Sequence, residues 1–463
     1  MQYKEATFED VQRLREICGV QGVLWKEEIS SDYYHDELSV EQFPPEIVVL
    51  PESVEQISVV LAYCYDRDIP VTPRGSGTGL CGGAVALHGG VILVTTKMNK
   101  ILEIDKENLM AVVEPGVLLM DLQSATEELG LFYAPDPGEK TATIGGNVST
   151  NAGGMRAVKY GVTRDFVLGL EAVLPDGRII ETGGKVMKNS SGYSLTDLLI
   201  GSEGTLAVIS KIVLRLLPKP RRQLSLVVPF DGLSAAMATV PKVLGAGEIP
   251  SALEFFQREV LEAAEEYLGR NFPHTGAPAY LMLTFLGSDL VELEKTYERV
   301  AEVCLASGAH DVLIAHTGER QEALWENRGA FLEALKGMGE LDEVDVVVPP
   351  NQVAAFIEFT EELRAKHDLS IVSFGHAGDG NLHIYILRGE LDRDHWLSST
   401  KDVMEKIYAR AKELTGLVSG EHGIGYAKKE YLERSLSPQV LELMQAIKLV
   451  FDPKGLLNPG KVC

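Results

Sequence analysis

Apolar positions fall at helical spacing over Phe8–Cys18 and again over Ser53–Asp66, where Ile57, Val60, Leu61 and Cys64 share one face. Ser53 and Gln56 stand as a capping box at the second start. The pattern then turns to short β-branched runs. Ile69–Thr72 and Val91–Thr95 read as strands, Ile101–Asp105 and Met110–Glu114 as a strand pair, and Leu118–Leu129 as a helix. Leu168–Pro175 and Arg178–Thr182 flank Asp176-Gly177, which predicts a two-residue hairpin turn. Leu206–Leu217 is a long apolar strand, and Pro218-Lys219-Pro220-Arg221-Arg222 reads as a linker.

Beyond the linker the pattern restarts. Leu224–Pro229, Ala252–Phe256, Ala279–Phe285 and Val312–His316 are strand-like. Helices are predicted over Leu233–Leu244, from Phe256 through Tyr267, and over Leu290–Ser307, Gly318–Leu335, Asn351–His367, Asp394–Thr415 and Pro438–Val450. The fold class is α+β. Residues 1–217 form one α+β unit, residues 218–426 an α+β cap with an antiparallel sheet, and residues 427–463 a helical segment returning to the first unit.

Two small-residue tracts interrupt the first unit. Pro73–Gly83, P-R-G-S-G-T-G-L-C-G-G, has five glycines in eleven residues, which suits a loop whose backbone N–H groups approach a phosphate. Gly77–Gly82 also satisfies G-x-G-x-x-G, but that fingerprint must open a helix. Here Gly89-Gly90 and a β-branched run follow, so the match is a coincidence and a nicotinamide-binding domain is not expected. The second tract runs Ile144-Gly145-Gly146-Asn147 to Thr150-Asn151-Ala152-Gly153-Gly154, after the rigid turn Pro135–Gly138.

The formal net charge of −24 disfavours nucleic acid and anionic membranes as partners. No apolar run is long enough to span a bilayer, and Met1–Val11 lacks a basic-then-apolar signal, so a cytoplasmic location is expected. The five cysteines contain no C-x-x-C pair, which argues against a disulfide framework, a zinc ribbon or an iron–sulfur cluster.

The densest chemistry lies at Ser373–His383, S-F-G-H-A-G-D-G-N-L-H. An Asp379-Gly380 turn would set His376 directly opposite His383. Two imidazoles on one hairpin face either share a divalent cation or cap backbone carbonyls. Glu421-His422, between Gly420 and Gly423, adds a carboxylate and an imidazole, or is an exposed loop pair. A metal on His376, His383 and Glu421 would leave His422 as a general base. Arg328 follows Trp325 by three residues on one helix face, suited to clamping a carboxylate or to covering apolar surface with its stem.

Four separated motifs carry a family resemblance: P-R-G-S-G-T-G at 73–79, I-G-G-N-V-S-T-N-A-G-G at 144–154, G-H-A-G-D-G-N-L-H at 375–383 and G-E-H-G-I-G at 420–425. N-S-S-G-Y at 189–193, G-S-E-G-T-L at 201–206 and L-N-P-G at 457–460 accompany them. The chain resembles the FAD-binding flavoproteins of the vanillyl-alcohol oxidase/p-cresol methylhydroxylase type. The nearest branch holds D-lactate dehydrogenases, the glycolate oxidase flavin subunit and D-2-hydroxyglutarate dehydrogenase. The resemblance implies that Pro73, Arg74, Gly75, Ser76, Gly77, Thr78 and Gly79 wrap the FAD pyrophosphate. It extends cofactor contact to Gly82, Pro137, Thr143, Gly146, Asn147, Thr150, Asn151, Gly153, Gly154, Glu203, Val208, Ile209 and Asn458. It makes His376, His383 and Glu421 ligands of a divalent Zn, Fe or Mn, His422 the base and Arg328 the carboxylate clamp. No histidine lies in the glycine loop, so FAD is expected to be non-covalent.

The implied activity is oxidation of a small D-2-hydroxy acid, D-lactate or glycolate, to the 2-oxo acid. Electrons would pass to an electron-transferring flavoprotein or an iron–sulfur subunit, and homodimer assembly stays open. Tyr385 stands where the hydroxyglutarate enzymes carry asparagine, which weighs against that substrate. The alternatives are oxidation of 2-hydroxyglutarate or malate, a non-redox flavin-dependent transferase, and a flavin-bound subunit without chemistry of its own.

Overall fold

The computed structural model describes residues 3–38, 41–272, 276–315 and 317–463. Met1 and Gln2, at the head of the stretch read for a signal, and His316, the last residue of the predicted strand Val312–His316, lie outside the described residues. The chain divides into two compact units. One comprises Met1–Gly153, Val162–Lys219 and Glu421–Cys463, the other Gly154–Gly161 and Pro220–Gly420.

In the first unit the helices Phe8–Cys18 and Val54–Asp66 form where the spacing places them, and Ile57, Val60, Leu61 and Cys64 are buried. Ser53 Oγ accepts from the Gln56 N–H, but the Gln56 amide reaches back to the N–H of Glu52 rather than of Ser53. Four strands, β1 (Val23–Trp25), β2 (Ile47–Val49), β3 (Val71–Arg74) and β4 (Val91–Val94), form a sheet in the order β1-β2-β4-β3. β2 and β3 both run parallel to β4. β3 starts two residues later than predicted and carries Pro73 and Arg74 into the sheet opposite Leu93 and Val94. Ile69 instead donates to Cys64 O at the helix end. Residues 75–90 hold no helix and no strand, so the G-x-G-x-x-G match is indeed a strand-to-strand loop.

The remaining strands of this unit are β5 (Ile101–Asp105), β6 (Met110–Val113), β7 (Leu131–Phe132), β8 (Val167–Val173), β9 (Ile179–Gly183), β10 (Val208–Arg215) and β11 (Leu217–Pro218). Five of them make an antiparallel sheet, β5-β6-β10-β8-β9, and β11 pairs with β7. The β8–β9 turn is longer than the two residues predicted. Gly177 N–H donates to Leu174 O and Leu174 N–H to Arg178 O. Pro175 presets the first turn position and Gly177, at φ +86°, closes a three-residue loop. The tail extends the first sheet: Val71 donates to Leu456 O, and Asn458 donates to Val71 O.

The second unit is built on one antiparallel sheet of seven strands: β12 (Arg222–Phe230), β13 (Ala252–Gln257), β14 (Ala279–Gly287), β15 (Leu313–Ala315), β16 (Leu341–Val347), β17 (Ser370–His376) and β18 (Asn381–Leu387). Their order is β15-β12-β14-β13-β17-β18-β16. Phe256, Tyr280, Phe374 and Tyr385 project from one face into a core shared with the helices Arg258–Leu268, Gly318–Gly329 and Phe331–Gly337. The predicted helix Gly318–Leu335 is therefore two helices, parted at Ala330. β16, L-D-E-V-D-V-V, was not expected from sequence, because three carboxylates in seven residues mask its alternation. No helix among the described residues is long and apolar enough to cross a membrane.

Candidate active site

The β17–β18 hairpin does not set His376 opposite His383. His376 pairs with Asn381 and His383 with Phe374, around a loop of residues 377–380. The longer loop forms because Gly378 turns its N–H to Leu253 O of β13, while Gly380 N–H closes back on His376 O. The register differs from the predicted one by an even number of residues, so both rings stay on one face. They are diagonal neighbours, with centroids 5.3 Å apart and planes at 88°, and both are buried.

Beside them lies Glu254 of β13, fully buried and in register with His376. Its Oε1 is 2.7 Å from His376 Nδ1. Its Oε2 accepts from Arg328 Nε at 2.9 Å and lies 2.6 Å from Nη2. Burial raises the Glu254 carboxyl, but its contacts with His376 and with the Arg328 guanidinium outweigh it and hold the group below the ordinary carboxylate range. The Arg328 guanidinium lies 4.7 Å from the ring of Phe374 and 5.5 Å from that of Phe331. Trp325 is half-buried at the edge of the same core.

On the other side of the histidines, His383 Nδ1 stands 3.7 Å from Glu343 Oε1. Tyr385 donates to Glu343 at 3.0 Å and stacks on Phe374 at 5.0 Å and 19°. Burial, then the Glu343 carboxylate, push its phenol well above the ordinary range. Asp345 accepts from Asn381 Nδ2, Ser419 Oγ and Gly420 N–H, pinning the chain just before Glu421. Glu254, Glu343 and Asp345 escaped the sequence reading. The only signal for Glu254 was an acid inside the apolar strand A-L-E-F-F-Q.

Glu421 and His422 belong to the first unit, with His422 Nε2 3.7 Å from Glu421 Oε1. The loop after them is fixed by Glu203, which sits at φ +50° and accepts from the N–H groups of Ile424 at 2.7 Å and Gly425 at 2.8 Å. Burial raises the Glu203 carboxyl, against the pull of those two N–H groups. A Cβ on Gly153 would lie 2.7 Å from Glu421 Oε2, so the end of the second tract is small to admit Glu421.

The two tracts meet: a Cβ on Gly75 would collide with Thr143 Oγ1. Thr143 caps the helix Ile144–Thr150, accepting from Gly146 N–H. Asn147, Thr150 and Asn151 fall on this helix or its left-handed end. Pro137 lies in the preceding loop, Gly154 is assigned to the second unit, and Val208 and Ile209 open β10. Arg74 does not turn its guanidinium outward; it donates to the carbonyls of Asp32, His35 and Ala84. Asn458 spends its amide on Gly83 O and Glu203 O, and its Oδ1 accepts from Lys461. Contact of these two residues with a cofactor would thus fall to their backbone, while Ser76, Thr78, Gly79 and Gly82 lie in the loop between β3 and β4.

Residues 45–183 match the FAD binding domain family, and residues 219–462 match FAD linked oxidases, C-terminal domain. The chain belongs to the FAD-linked oxidase family. It is 46% identical to the D-lactate dehydrogenase of Anaerostipes hadrus, over 100% of this chain and 98% of that one. Identity to the glycolate oxidase subunit GlcD of Bacillus subtilis is 41%, over 93% of this chain and 91% of that one. In fold it superimposes on p-cresol methylhydroxylase with a TM-score of 0.79 at 18% identity, over 98% of this chain and 96% of that one. The oxidase is thus an FAD-dependent oxidoreductase with the p-cresol methylhydroxylase-type fold.

The residues present fit FAD. The loop 75–83 offers backbone N–H groups, and Asn147 Nδ2 is buried with no hydrogen-bond partner among the described residues, a donor that a flavin acceptor would satisfy. A divalent metal also suits the oxidase's donor set. A ligating histidine ordinarily gives its other ring N–H to a carboxylate, and the 2.7 Å contact between His376 Nδ1 and Glu254 Oε1 offers such a partner.

Proposed function

We propose that this FAD-linked oxidoreductase oxidises a small D-2-hydroxy acid, D-lactate or glycolate, to the 2-oxo acid. The observation that carries the reading is Arg328, a buried cation 4.7 Å from the Phe374 ring and tied through Glu254 to the first of two buried histidines, His376 and His383. The full-length identity to a D-lactate dehydrogenase and the extended identity to a glycolate oxidase subunit support the substrate class. Bound FAD would supply the acceptor for the hydride from C2, and a bound divalent metal would supply Lewis acidity toward the hydroxyl. His376, His383 and Glu421 are the proposed metal ligands. Arg328 holds the substrate carboxylate, and His422 accepts the hydroxyl proton on its imidazole. In this reading residues 1–217 carry the cofactor, residues 218–426 carry the substrate, and the reaction is cytoplasmic. An electron-accepting protein takes the electrons onward, supported by the naming of the Bacillus subtilis relative as a subunit.

Anaerobic stopped-flow with a panel of D- and L-hydroxy acids tests the proposal. D-Lactate or glycolate should bleach the flavin, and His422→Ala should keep FAD yet reduce it at least ~100-fold more slowly. A flavin that no hydroxy acid bleaches, the behaviour of a non-redox transferase, defeats the reading; reduction of His422→Ala at the parent rate defeats the base.

A further inference from the structure

A fully buried carboxylate survives in a protein only with partners that compensate its charge. Glu254 has two, one per oxygen: the imidazole of His376 on Oε1 and the guanidinium of Arg328 on Oε2. An ionised carboxylate only accepts, so the contact with Glu254 favours a proton on Nδ1, and in the neutral ring the lone pair is then on Nε2. On the other side, Nε and Nη2 of Arg328 both face Oε2, while the guanidinium lies near the rings of Phe374 and Phe331. One edge of Arg328 is therefore spent, and the direction of its outer N–H groups is set.

We propose that Glu254 is a positioning residue that fixes the tautomer of His376 and the orientation of Arg328 at once, coupling the metal ligand to the carboxylate clamp. This rests on the roles given above to His376 and Arg328. The coupling makes a sharp demand on an isosteric amide. Glutamine at this position presents one oxygen and one NH2. If its oxygen faces Arg328, its NH2 meets Nδ1–H and drives the proton to Nε2, removing the lone pair a metal needs. If it is reversed, the NH2 meets the guanidinium.

The test uses the full-length flavoprotein. With Mn2+ or Zn2+ alone, Glu254→Gln should bind metal roughly 10–100-fold more weakly than the parent. At saturating metal its KM for D-lactate should rise roughly tenfold while kcat changes less. A Glu254→Gln protein that retains FAD, melts as the parent does and matches it in both metal affinity and KM overturns the proposal. In case that variant does not fold, the parent itself decides. Selective 15N-histidine labelling of the metal-free protein, with His376→Gln to assign the signal, should show His376 as the Nδ1–H tautomer. The Nε2–H tautomer overturns the proposal. A parent that binds no metal or is not bleached by hydroxy acids would count against the functional reading, and the tautomer would still test the tie to Glu254.

Discussion

Replacing Glu203 by glutamine should loosen one loop by a calculable amount. The carboxylate accepts from the N–H groups of Ile424 and Gly425 at 2.7 and 2.8 Å, and a Cβ on Gly423 would lie 2.9 Å from Oε1. The loop thus rests directly on the two oxygens. A neutral amide retains one acceptor for one N–H and turns an NH2 toward the other. Hydrogen bonds to a charged group are worth about 1.5–3 kcal/mol each. Loss of one such bond corresponds to roughly 10–150-fold in an opening equilibrium, at about 1.4 kcal/mol per tenfold. Amide hydrogen exchange of the segment 421–426 reads this directly, and Ile424 and Gly425 should exchange faster by that factor. Exchange in the helix Phe8–Cys18 should not move. His422 lies in the loosened segment, so flavin reduction should slow in parallel. If Glu203→Gln folds, retains FAD and leaves exchange at Ile424 and Gly425 within about threefold of the parent, the carboxylate does not hold the loop as an anion and the reasoning fails.

Gly77 sits at φ +81°, and a Cβ there would run into the Arg74 guanidinium, itself tied to three carbonyls. Gly77→Val should therefore purify colourless while binding metal as the parent does; a yellow protein would move the FAD cradle elsewhere. Lys461 is buried, and burial lowers its ammonium to about 7 against the opposing pull of Asp36 and Glu203. Its unfolded value is near 10.4, so between those values the unfolded chain binds the extra proton and stability rises with pH. The slope should approach about 1.4 kcal/mol per pH unit above neutrality, read from urea midpoints of flavin release, and should vanish in Lys461→Met. A flat profile for the parent would mean that Lys461 stays charged.

Much of the fold was legible because its core elements are strongly periodic. Ile57, Val60, Leu61 and Cys64 needed only a helical stripe, and the β-branched run at Val91 exposed the dinucleotide fingerprint as a coincidence. What sequence missed depends on contacts distant in the chain. The register of the His376–His383 hairpin is decided by Leu253, whose carbonyl draws Gly378 out of the ladder. β16 was hidden by Asp342, Glu343 and Asp345, acids tolerated in a strand only because Tyr385, Asn381 and Ser419 meet Glu343 and Asp345. Arg74 and Asn458 belong to motifs, yet their side chains serve as ties to carbonyls rather than pointing outward.

The seat of Asn458 sets a timetable for biosynthesis. Its amide grips Gly83 O, 375 residues earlier in the chain, and Glu203 O. At ~5–20 residues per second, a ribosome needs roughly 20–75 s to travel from one to the other. During that interval the glycine loop has been made but the residue that braces it has not. If the loop holds the flavin as proposed, stable capture must follow completion of the tail, and a chain stalled shortly before Asn458 would carry every glycine of the loop and still lack its brace.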